Sequence, residues 1–226
     1  VLVARDAMKL RAVAADLGDD CLCHAADLST VAGVQDAVAA AVARHGRIDI
    51  LVNNAGAIPA GDFLTMPDEA WMQAYALKLH GYIRMARSVF PLMRDSGGGR
   101  IINVIGATAR NPQPNYMAGG IANAGLVNFT KGLADLGAPH GILVTAVSPA
   151  ATATERIEEQ FMQIAAATGR SVGTVRAERL AAYPLGRMAA AEDIADAVLF
   201  LASARAGFVS GICLTVDGSS TRGVWL

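Results

Sequence analysis

The 226-residue sequence is poor in charged residues, aromatic residues and cysteines. Charged residues make up 17% of it and the formal net charge is −1, so it has no basic field for a phosphate backbone, and we expect no nucleic-acid partner. No apolar run reaches the ~18 residues that a membrane-spanning helix needs, so we expect no membrane insertion. The 53% of hydrophobic residues instead predicts a large core and makes disorder unexpected.

The three cysteines do not indicate a metal site. Cys21 and Cys23 lie on one apolar stretch, where alternation would put them on one face of a strand, and Cys213 is far away in the sequence. Nothing near them completes a set of metal ligands. We expect core thiols in a reducing compartment, the cytoplasm, and no metal. The first residues, VLVARD, lack the basic leader and cleavage site of a signal peptide.

Short apolar runs alternate with helical patterns along the whole chain. Continuous Val/Ile/Leu runs are typical of strands that are buried on both faces, and their alternation with helices predicts right-handed βαβ units. We therefore expect an α/β fold with a doubly wound, mostly parallel sheet, in a single domain over residues 1–226. The predicted strands lie within 1–4, 21–28, 48–56, 97–106, 142–149 and 211–218. The predicted helices lie within 6–17, 66–95, 155–169 and 191–203, with one more that opens at Ser29-Thr30 and one that begins within 114–134 and ends at about Gly137.

Small, polar or turn-forming residues follow five of these strands. In doubly wound sheets, ligands bind outside the carboxyl ends of the strands. Loop residues of this kind are ordinary at any one strand end, but their recurrence at five of them indicates a ligand crevice. The five candidate segments are Arg5, Asp27, 53–56, 104–108 and 148–154.

The stretch ILVNNAG, with Asp49 just ahead of it, resembles the short-chain dehydrogenase/reductase superfamily. Further similar stretches follow in order and cover nearly the whole chain: AADL, RIINV, AGLVNFTKGLA, VTAVSP followed by Thr154, PLGRMAAAEDIADAVLFLAS and SGICLTVDG. The resemblance implies a Rossmann-type fold, a nicotinamide dinucleotide as hydride carrier, and an oxidoreductase that interconverts an alcohol and a carbonyl.

The resemblance also exposes a difference at the start of the chain. The family's first strand and its glycine-rich turn, which seats the pyrophosphate at a helix N-terminus, have no counterpart before Val1. By the family's spacing, VLVARD is the second strand. We therefore expect the sequence to be incomplete or a fragment, without the first strand-helix unit.

The end of this strand bears on the type of dinucleotide. Family members that prefer NAD carry a carboxylate there for the ribose hydroxyls, whereas this chain has Arg5. A guanidinium favours a 2′-phosphate, so we expect NADP(H) over NAD(H), although Asp6 would weaken that preference. The resemblance also implies cofactor contacts at the adenine, its ribose and the nicotinamide carboxamide, from Asp27, Asn54, Ala55, Gly56, Val104 and Thr154.

The family's catalytic residues are not at their usual positions. The family uses a tyrosine, a lysine four residues later, an upstream serine, and an asparagine on the long preceding helix. Aligned without a gap, the tyrosine, lysine, serine and asparagine positions fall on Gly119, Asn123, Gly106 and Lys78. One interpretation is a dinucleotide-binding relative without catalysis, acting as a sensor or scaffold.

The other interpretation is a variant site, because lysine and asparagine have exchanged positions. Tyr116 precedes Gly119 by about one helical turn, so the glycine would vacate volume for its ring. Lys78 would then stabilise the phenolate or polarise a carbonyl. Thr108 is the candidate to replace the serine hydroxyl, and Asn123 to bind the nicotinamide ribose. A lyase or dehydratase reusing the same crevice is a third possibility.

Two further expectations concern the substrate and the assembly. The family's active site is capped by the segment that corresponds to residues 155–183. There, Phe161, Met162 and Ile164 predict an apolar, small-to-mid-sized substrate. The predicted helices over 68–94 and 123–137 resemble the pair through which the family forms dimers and tetramers. We therefore expect a homodimer or homotetramer.

Overall fold

The computed structural model describes residues 1–18, 20–181 and 183–221. Its strands are β1 Leu2–Ala4, β2 Cys23–Ala25, β3 Ile50–Asn53, β4 Gly99–Val104, β5 Ile142–Pro149 and β6 Cys213–Val216. Its helices are α1 Ala7–Ala14, α2 Val31–His45, α3 Asp68–Lys78, α4 His80–Asp95, α5 Met117–Gly137, α6 Glu155–Thr168, α7 Val172–Ala181 and α8 Ala191–Ala202. Short 3₁₀ turns include Ala107–Ala109 and Pro114–Tyr116.

All strand pairings in the described part of the chain are parallel, which confirms the expected sheet type. β1 pairs with β2, and β3, β4, β5 and β6 form a second sheet in that order. No pairing between described residues joins the two sheets. On β3, Leu51 is buried while Ile50 and Val52 are 47% and 42% exposed.

Helices cover both faces of the four-stranded sheet, as a doubly wound fold requires. On one face, α4 and α5 pack against Ile101 and Val144 through residues that include Val89 and Ala134. On the other face, α8 packs Leu201 against Ile102 and Val147. Adjacent residues of β4 thus face opposite layers, which explains why the strand reads as a continuous apolar run.

The prediction of one long helix over residues 68–94 is wrong, because the chain forms two helices that meet at Leu79. The physical reason lies in the side chain of Arg84. Its Nη1 donates to the carbonyl of Ala76 at 3.2 Å and to the carbonyl of Ser29 at 2.8 Å. The Ala76 carbonyl thus accepts a side-chain donor at the junction, and α4 is tied to the loop after β2.

Three smaller expectations also differ from the structure. Helix α1 ends at Ala14 rather than Leu17, because the chain turns there towards Gly18, which has a φ of +83°. Cys21 precedes β2, so it does not share a strand face with Cys23. Helix α7 was not predicted. Thr30 caps α2, accepting a hydrogen bond from the Gly33 amide at 3.0 Å.

Within the residues that the structure describes, no helix is both long enough and apolar enough to span a lipid bilayer.

Candidate active site

A cavity of about 550 Å³ opens at the carboxyl ends of β3, β4 and β5. We call its polar side the inner wall, formed by Lys78 of α3, Thr108 and Tyr116 from the segment after β4, and Asn123 of α5. We call its opposite part the outer wall, formed mainly by residues of and near α6 and α7: Ile157, Phe161, Ile164, Arg179, Tyr183 and Met188. The position agrees with the rule that ligands bind at the carboxyl ends of parallel strands.

The structure brings together all four residues predicted to be catalytic, since each lines this cavity. Asn54, Gly56 and Thr154, predicted as cofactor contacts, line it as well. Arg5, Asp27, Ala55 and Val104 do not line it.

The ring of Tyr116 lies in the space that a side chain at Gly119 would need. A Cβ added at Gly119 would be 1.8 Å from Cε1 of Tyr116 and 2.2 Å from Cζ. The half-buried ring packs near Ile58 and Ala122, while Gly119 opens the first turn of α5 to it. The glycine therefore serves a close approach, as the sequence predicted.

The ammonium of Lys78 is partly buried and is directed at the end of β4. Nζ donates to the carbonyl oxygen of Val104 at 2.8 Å and to the hydroxyl of Tyr82 at 3.2 Å. It also lies 5.1 Å from the centroid of the Tyr82 ring, a cation–π distance. The stem of the lysine passes close to Gly56, where an added Cβ would be 2.9 Å from Cδ. These contacts hold the cation in one place at the cavity.

Tyr82 of α4 is a core residue that contacts this site through Lys78. It is 2% exposed, and its hydroxyl donates to the Val104 carbonyl at 2.9 Å. Burial raises the pKa of Tyr82, so the phenol stays protonated and remains a donor.

Asn123 and Thr108 are directly hydrogen-bonded. Nδ2 of Asn123 donates to Oγ1 of Thr108 at 2.8 Å, so the threonine hydroxyl does point to the inner wall. A Cβ at Gly106 would lie 2.9 Å from this Nδ2, so the glycine makes room for the amide. Asn123 is 4% exposed, and its Oδ1 has no hydrogen-bond partner among the described residues. An unpaired buried acceptor on a cavity wall favours a ligand that donates a hydrogen bond.

Behind the inner wall, a buried polar network joins β3, β4 and α5. Nδ2 of Asn53 donates to Oδ1 of Asn103 at 2.9 Å, and Nδ2 of Asn103 donates to Oγ1 of Thr130 at 3.0 Å. The Thr130 hydroxyl donates to the Leu126 carbonyl at 2.7 Å. This network was not predicted, although an asparagine within a buried run such as RIINV is a signal for it, because a buried amide needs partners. It fixes the elements that carry the site.

The outer wall is held by apolar packing. Phe161 is 4% exposed and packs with Ala165 and Val175, which joins α6 to α7. Phe161 and Ile164 line the cavity as predicted, but Met162 is 52% exposed and does not line it. On a helix, consecutive residues point in different directions, so Met162 faces away. Arg179 and Tyr183 were not singled out from the sequence.

The ends of β1 and β2 come together, as expected from their parallel pairing. Oδ1 of Asp27 accepts hydrogen bonds from the Ser29 hydroxyl at 2.7 Å and the Ser29 amide at 2.9 Å. These bonds, with a smaller contribution from the charge of Arg5, lower the pKa of Asp27. Arg5 is exposed, and Asp6 caps α1 by accepting from the amides of Met8 and Lys9.

In the described part of the chain, no group of three or more His, Cys, Asp or Glu side chains is arranged to hold a metal ion. The three cysteines are free thiols of intermediate exposure.

Comparison with known proteins identifies the family. The family model described as Enoyl-(Acyl carrier protein) reductase matches residues 1–221. The short-chain reductase protein NovJ of Streptomyces niveus is 36% identical over 194 residues, which cover 85% of this chain and 71% of that protein.

Two solved structures are similar to this chain over nearly its whole length. A 3-ketoacyl-(acyl-carrier-protein) reductase from Brucella melitensis complexed with NADH has a TM-score of 0.85 at 31% identity, covering 97% of this chain and 86% of that chain. The L-sorbose reductase of Gluconobacter frateurii complexed with NADPH and L-sorbose has a TM-score of 0.92 at 28% identity, covering 99% of this chain and 87% of that chain. The chain therefore belongs to the short-chain dehydrogenase/reductase family of oxidoreductases.

Proposed function

We propose that this protein is an NADP(H)-dependent oxidoreductase that interconverts an alcohol and a carbonyl through a variant catalytic site. The observation that carries the proposal is the ring of Tyr116, which fills the side-chain space of Gly119 and lines the same cavity as Lys78 and Thr108. A phenol, a hydroxyl and a cation thus surround one space, and these are the groups that carbonyl reduction needs for proton transfer and charge stabilisation.

The residues at the strand ends fit a nicotinamide dinucleotide. Asn54, Gly56 and Thr154 line the cavity, and the unpaired Oδ1 of Asn123 is an acceptor for a ribose hydroxyl. Relatives solved with NADH and with NADPH support the same class of cofactor. When bound, the dinucleotide supplies or accepts the hydride.

The preference for NADP(H) rests on Arg5. Its guanidinium is exposed at the end of β1, where it can form a forked pair with a phosphate. Asp6, the residue that would oppose this preference, has Oδ1 engaged by two amides at the start of α1. One oxygen of the carboxylate is therefore engaged by the helix cap.

Each group of the inner wall has a separate role in this proposal. Tyr116 exchanges a proton with the substrate oxygen as general acid or base. Thr108 accepts from Asn123, which leaves its own hydroxyl proton to donate to that oxygen. Lys78, fixed by Val104 and Tyr82, supplies a positive charge that polarises the carbonyl oxygen of the substrate.

The second candidate function is a non-catalytic dinucleotide-binding protein. Gly119, Asn123 and Gly106 stand at the positions of the family's usual tyrosine, lysine and serine, and this favours a site that binds without turnover. A sensor of this kind would bind the cofactor through the same strand ends.

One experiment separates the two functions. The protein is titrated with NADPH and with NADH, and NADPH oxidation is then followed over a panel of aldehydes and ketones. The oxidoreductase predicts tighter binding of NADPH and turnover of at least one carbonyl. Tight binding with no turnover across the panel would instead support the sensor, and equal affinity for both cofactors would contradict the role of Arg5.

The assembly is also a proposal. Met72 of α3 and Ile121 and Leu136 of α5 are 65%, 54% and 58% exposed. Apolar side chains in such positions suit an interface between copies, as expected for a homodimer or homotetramer. Light scattering coupled to size-exclusion chromatography measures the mass directly, and a monomer at micromolar concentration would contradict the proposal.

A further inference from the structure

We propose that the substrate carries an anionic group and that Arg179, on the outer wall of the cavity, binds it. The inference rests on the proposed function and names a substrate feature for the same site. It is carried by the charges of the cavity, by the ion pairs of its neighbours and by the chemistry around the guanidinium.

The cavity is positively charged. Among the described residues that line it, the charged ones are Lys78 and Arg179, and no described carboxylate lines it. The other polar residues are neutral and include Asn111, Gln113 and Tyr183. Two cations on the lining, with no carboxylate among its described residues, favour an anionic ligand by charge complementarity.

The neighbours of Arg179 form ion pairs within the described part of the chain. Arg170, just before α7, forms an ion pair with Glu178, and Arg176 forms one with Glu158 of α6. Arg179 has no ion pair with any described residue. The carboxylates of this region thus neutralise the two arginines that do not line the cavity, and the guanidinium that lines it remains available to a ligand.

The groups around Arg179 suit a carboxylate or a phosphate. The planar guanidinium donates two parallel hydrogen bonds to either group. Tyr183 lines the cavity nearby, and burial raises its pKa while the charge of Arg179 acts in the opposite direction, so its phenol is protonated at neutral pH and can donate as well.

The rest of the outer wall defines the body of the substrate. Ile157, Phe161, Ile164 and Met188 form an apolar surface in the same cavity. Combined with the inner wall, these features describe a carbonyl compound with an apolar middle and an anionic end. The two sources of such an end, a carboxylate and a phosphate monoester, differ in charge and are distinguished by the test.

The test uses ligand binding first, because binding needs no turnover. Hexanoate, hexyl phosphate and the neutral hexanamide are titrated into the wild-type protein, Arg179→Ala and the control Arg176→Ala by isothermal titration calorimetry. We expect the better anion to bind wild type and Arg176→Ala about 10-fold or more tightly than hexanamide, and Arg179→Ala to lose this difference. The tighter of the two anions identifies the source.

A kinetic arm uses a six-carbon methyl ketone with a terminal carboxylate, its methyl ester and the corresponding phosphate monoester, each with NADPH. Arg179→Ala should raise KM for the anionic ketone about 10- to 100-fold with little change for the ester. Arg179→Lys should recover part of the loss, because it keeps the charge but not the fork.

The outcomes separate the two proposals. If hexanamide binds wild type as well as the anions do, or if Arg179→Ala binds the anions like wild type, the anionic-substrate inference is wrong even when ketones are reduced. If anion binding depends on Arg179 but no carbonyl compound is consumed, the anion site stands and the oxidoreductase proposal fails.

Discussion

The inner and outer walls of the cavity are built by different interactions. Inner-wall side chains are fixed by hydrogen bonds, from Lys78 to Val104 and from Asn123 to Thr108. The outer wall is held by the apolar packing of Phe161, Ala165 and Val175 and by ion pairs at the surface. Directional bonds fix positions to within tenths of an ångström, which chemistry requires, whereas apolar packing tolerates replacement by residues of similar volume. We therefore expect inner-wall changes to alter kcat and outer-wall changes to alter KM.

The largest effect is expected for Tyr116→Phe. Removing the proton-transferring hydroxyl should lower kcat by about 10²- to 10⁴-fold, with KM and the unfolding temperature nearly unchanged. Steady-state kinetics on any carbonyl accepted by the wild type measure this. Tyr75→Phe is the matched control, since Tyr75 is a half-buried phenol that packs on Trp71 and does not line the cavity. Equal losses in both variants would remove Tyr116 from the mechanism.

Lys78→Met should lower kcat by about 10²-fold, because it removes the charge that polarises the substrate oxygen while keeping most of the side-chain volume. The Val104 carbonyl keeps the Tyr82 hydroxyl as a donor, so the fold should persist. Kinetics and thermal unfolding are measured together. The control is Lys131→Met, an exposed lysine paired with Asp135 on α5, for which no kinetic change is expected. Full activity of Lys78→Met would show that the cation is structural.

Gly119→Ala tests the close approach of Tyr116. The new methyl group would overlap the ring, so the ring must move, and we expect a destabilisation of about 1–3 kcal/mol. A kcat reduced about 10-fold should accompany it, since small misplacements of a catalytic group are costly. Gly132→Ala, in the same helix with no atom within 4 Å of the added Cβ, should instead stabilise by about 0.5–1 kcal/mol. Denaturant unfolding distinguishes them, and similar effects of the two changes would contradict the geometry.

The smallest expected effect is a loss of stability at low pH near the outer wall, at the ion pair between Arg187 and Asp193. Hydrogen bonds from Arg187, and a further one from the Ala190 amide, lower the pKa of Asp193 from 3.8 to about 2. A lowered folded-state pKa contributes stability above the ordinary value, and this is lost as pH falls through about 2. Between pH 4 and pH 2, the hydrogen-exchange protection factor of the Ala190 amide, which is the intrinsic exchange rate at each pH divided by the observed one, should fall in the wild type.

The comparison variant for this pH effect is Asp193→Asn. Its Ala190 amide should have a lower protection factor already at pH 4, and this factor should change little further down to pH 2. The described residues of the inner wall include no carboxylate, so exchange at Asn123 serves as the internal reference. An equal fall in the protection factors of both amides would indicate general acid unfolding instead.

The strands and most helices could be predicted because their signals are local. RIINV and ILVTAVSP are continuous apolar runs, and Thr30 caps a helix through its own side chain. The junction at Leu79 could not be read in this way, because it depends on Arg84 reaching Ser29, a residue 55 positions away. Helix α7 is stabilised by Val175 packing on Phe161 of α6, which is also a long-range contact.

The residues of the candidate site likewise divide into those with a local signal in the sequence and those whose role depends on distant contacts. Gly119, at the position aligned with the family's tyrosine, pointed to Tyr116 about one helical turn earlier. Lys78 was predicted as part of the site from its aligned position, but its contacts with Val104 and Tyr82 could not be named from the sequence. Arg179 gave no signal, because a single arginine in a charged helix has the same pattern whether it faces water or a ligand.

The bond from Arg84 to the Ala76 carbonyl has a consequence for how this protein responds to change at a distance. Arg84 of α4 bonds both the last turn of α3 and the loop around Ser29, on the side of the fold that carries Arg5. The direction of the end of α3 therefore depends on the position of that loop. Lys78 stands at that end. Replacing Arg84 would remove this link, and the end of α3 could then change direction together with the ammonium group of Lys78. We therefore expect changes in the loop around Ser29 to affect the cavity.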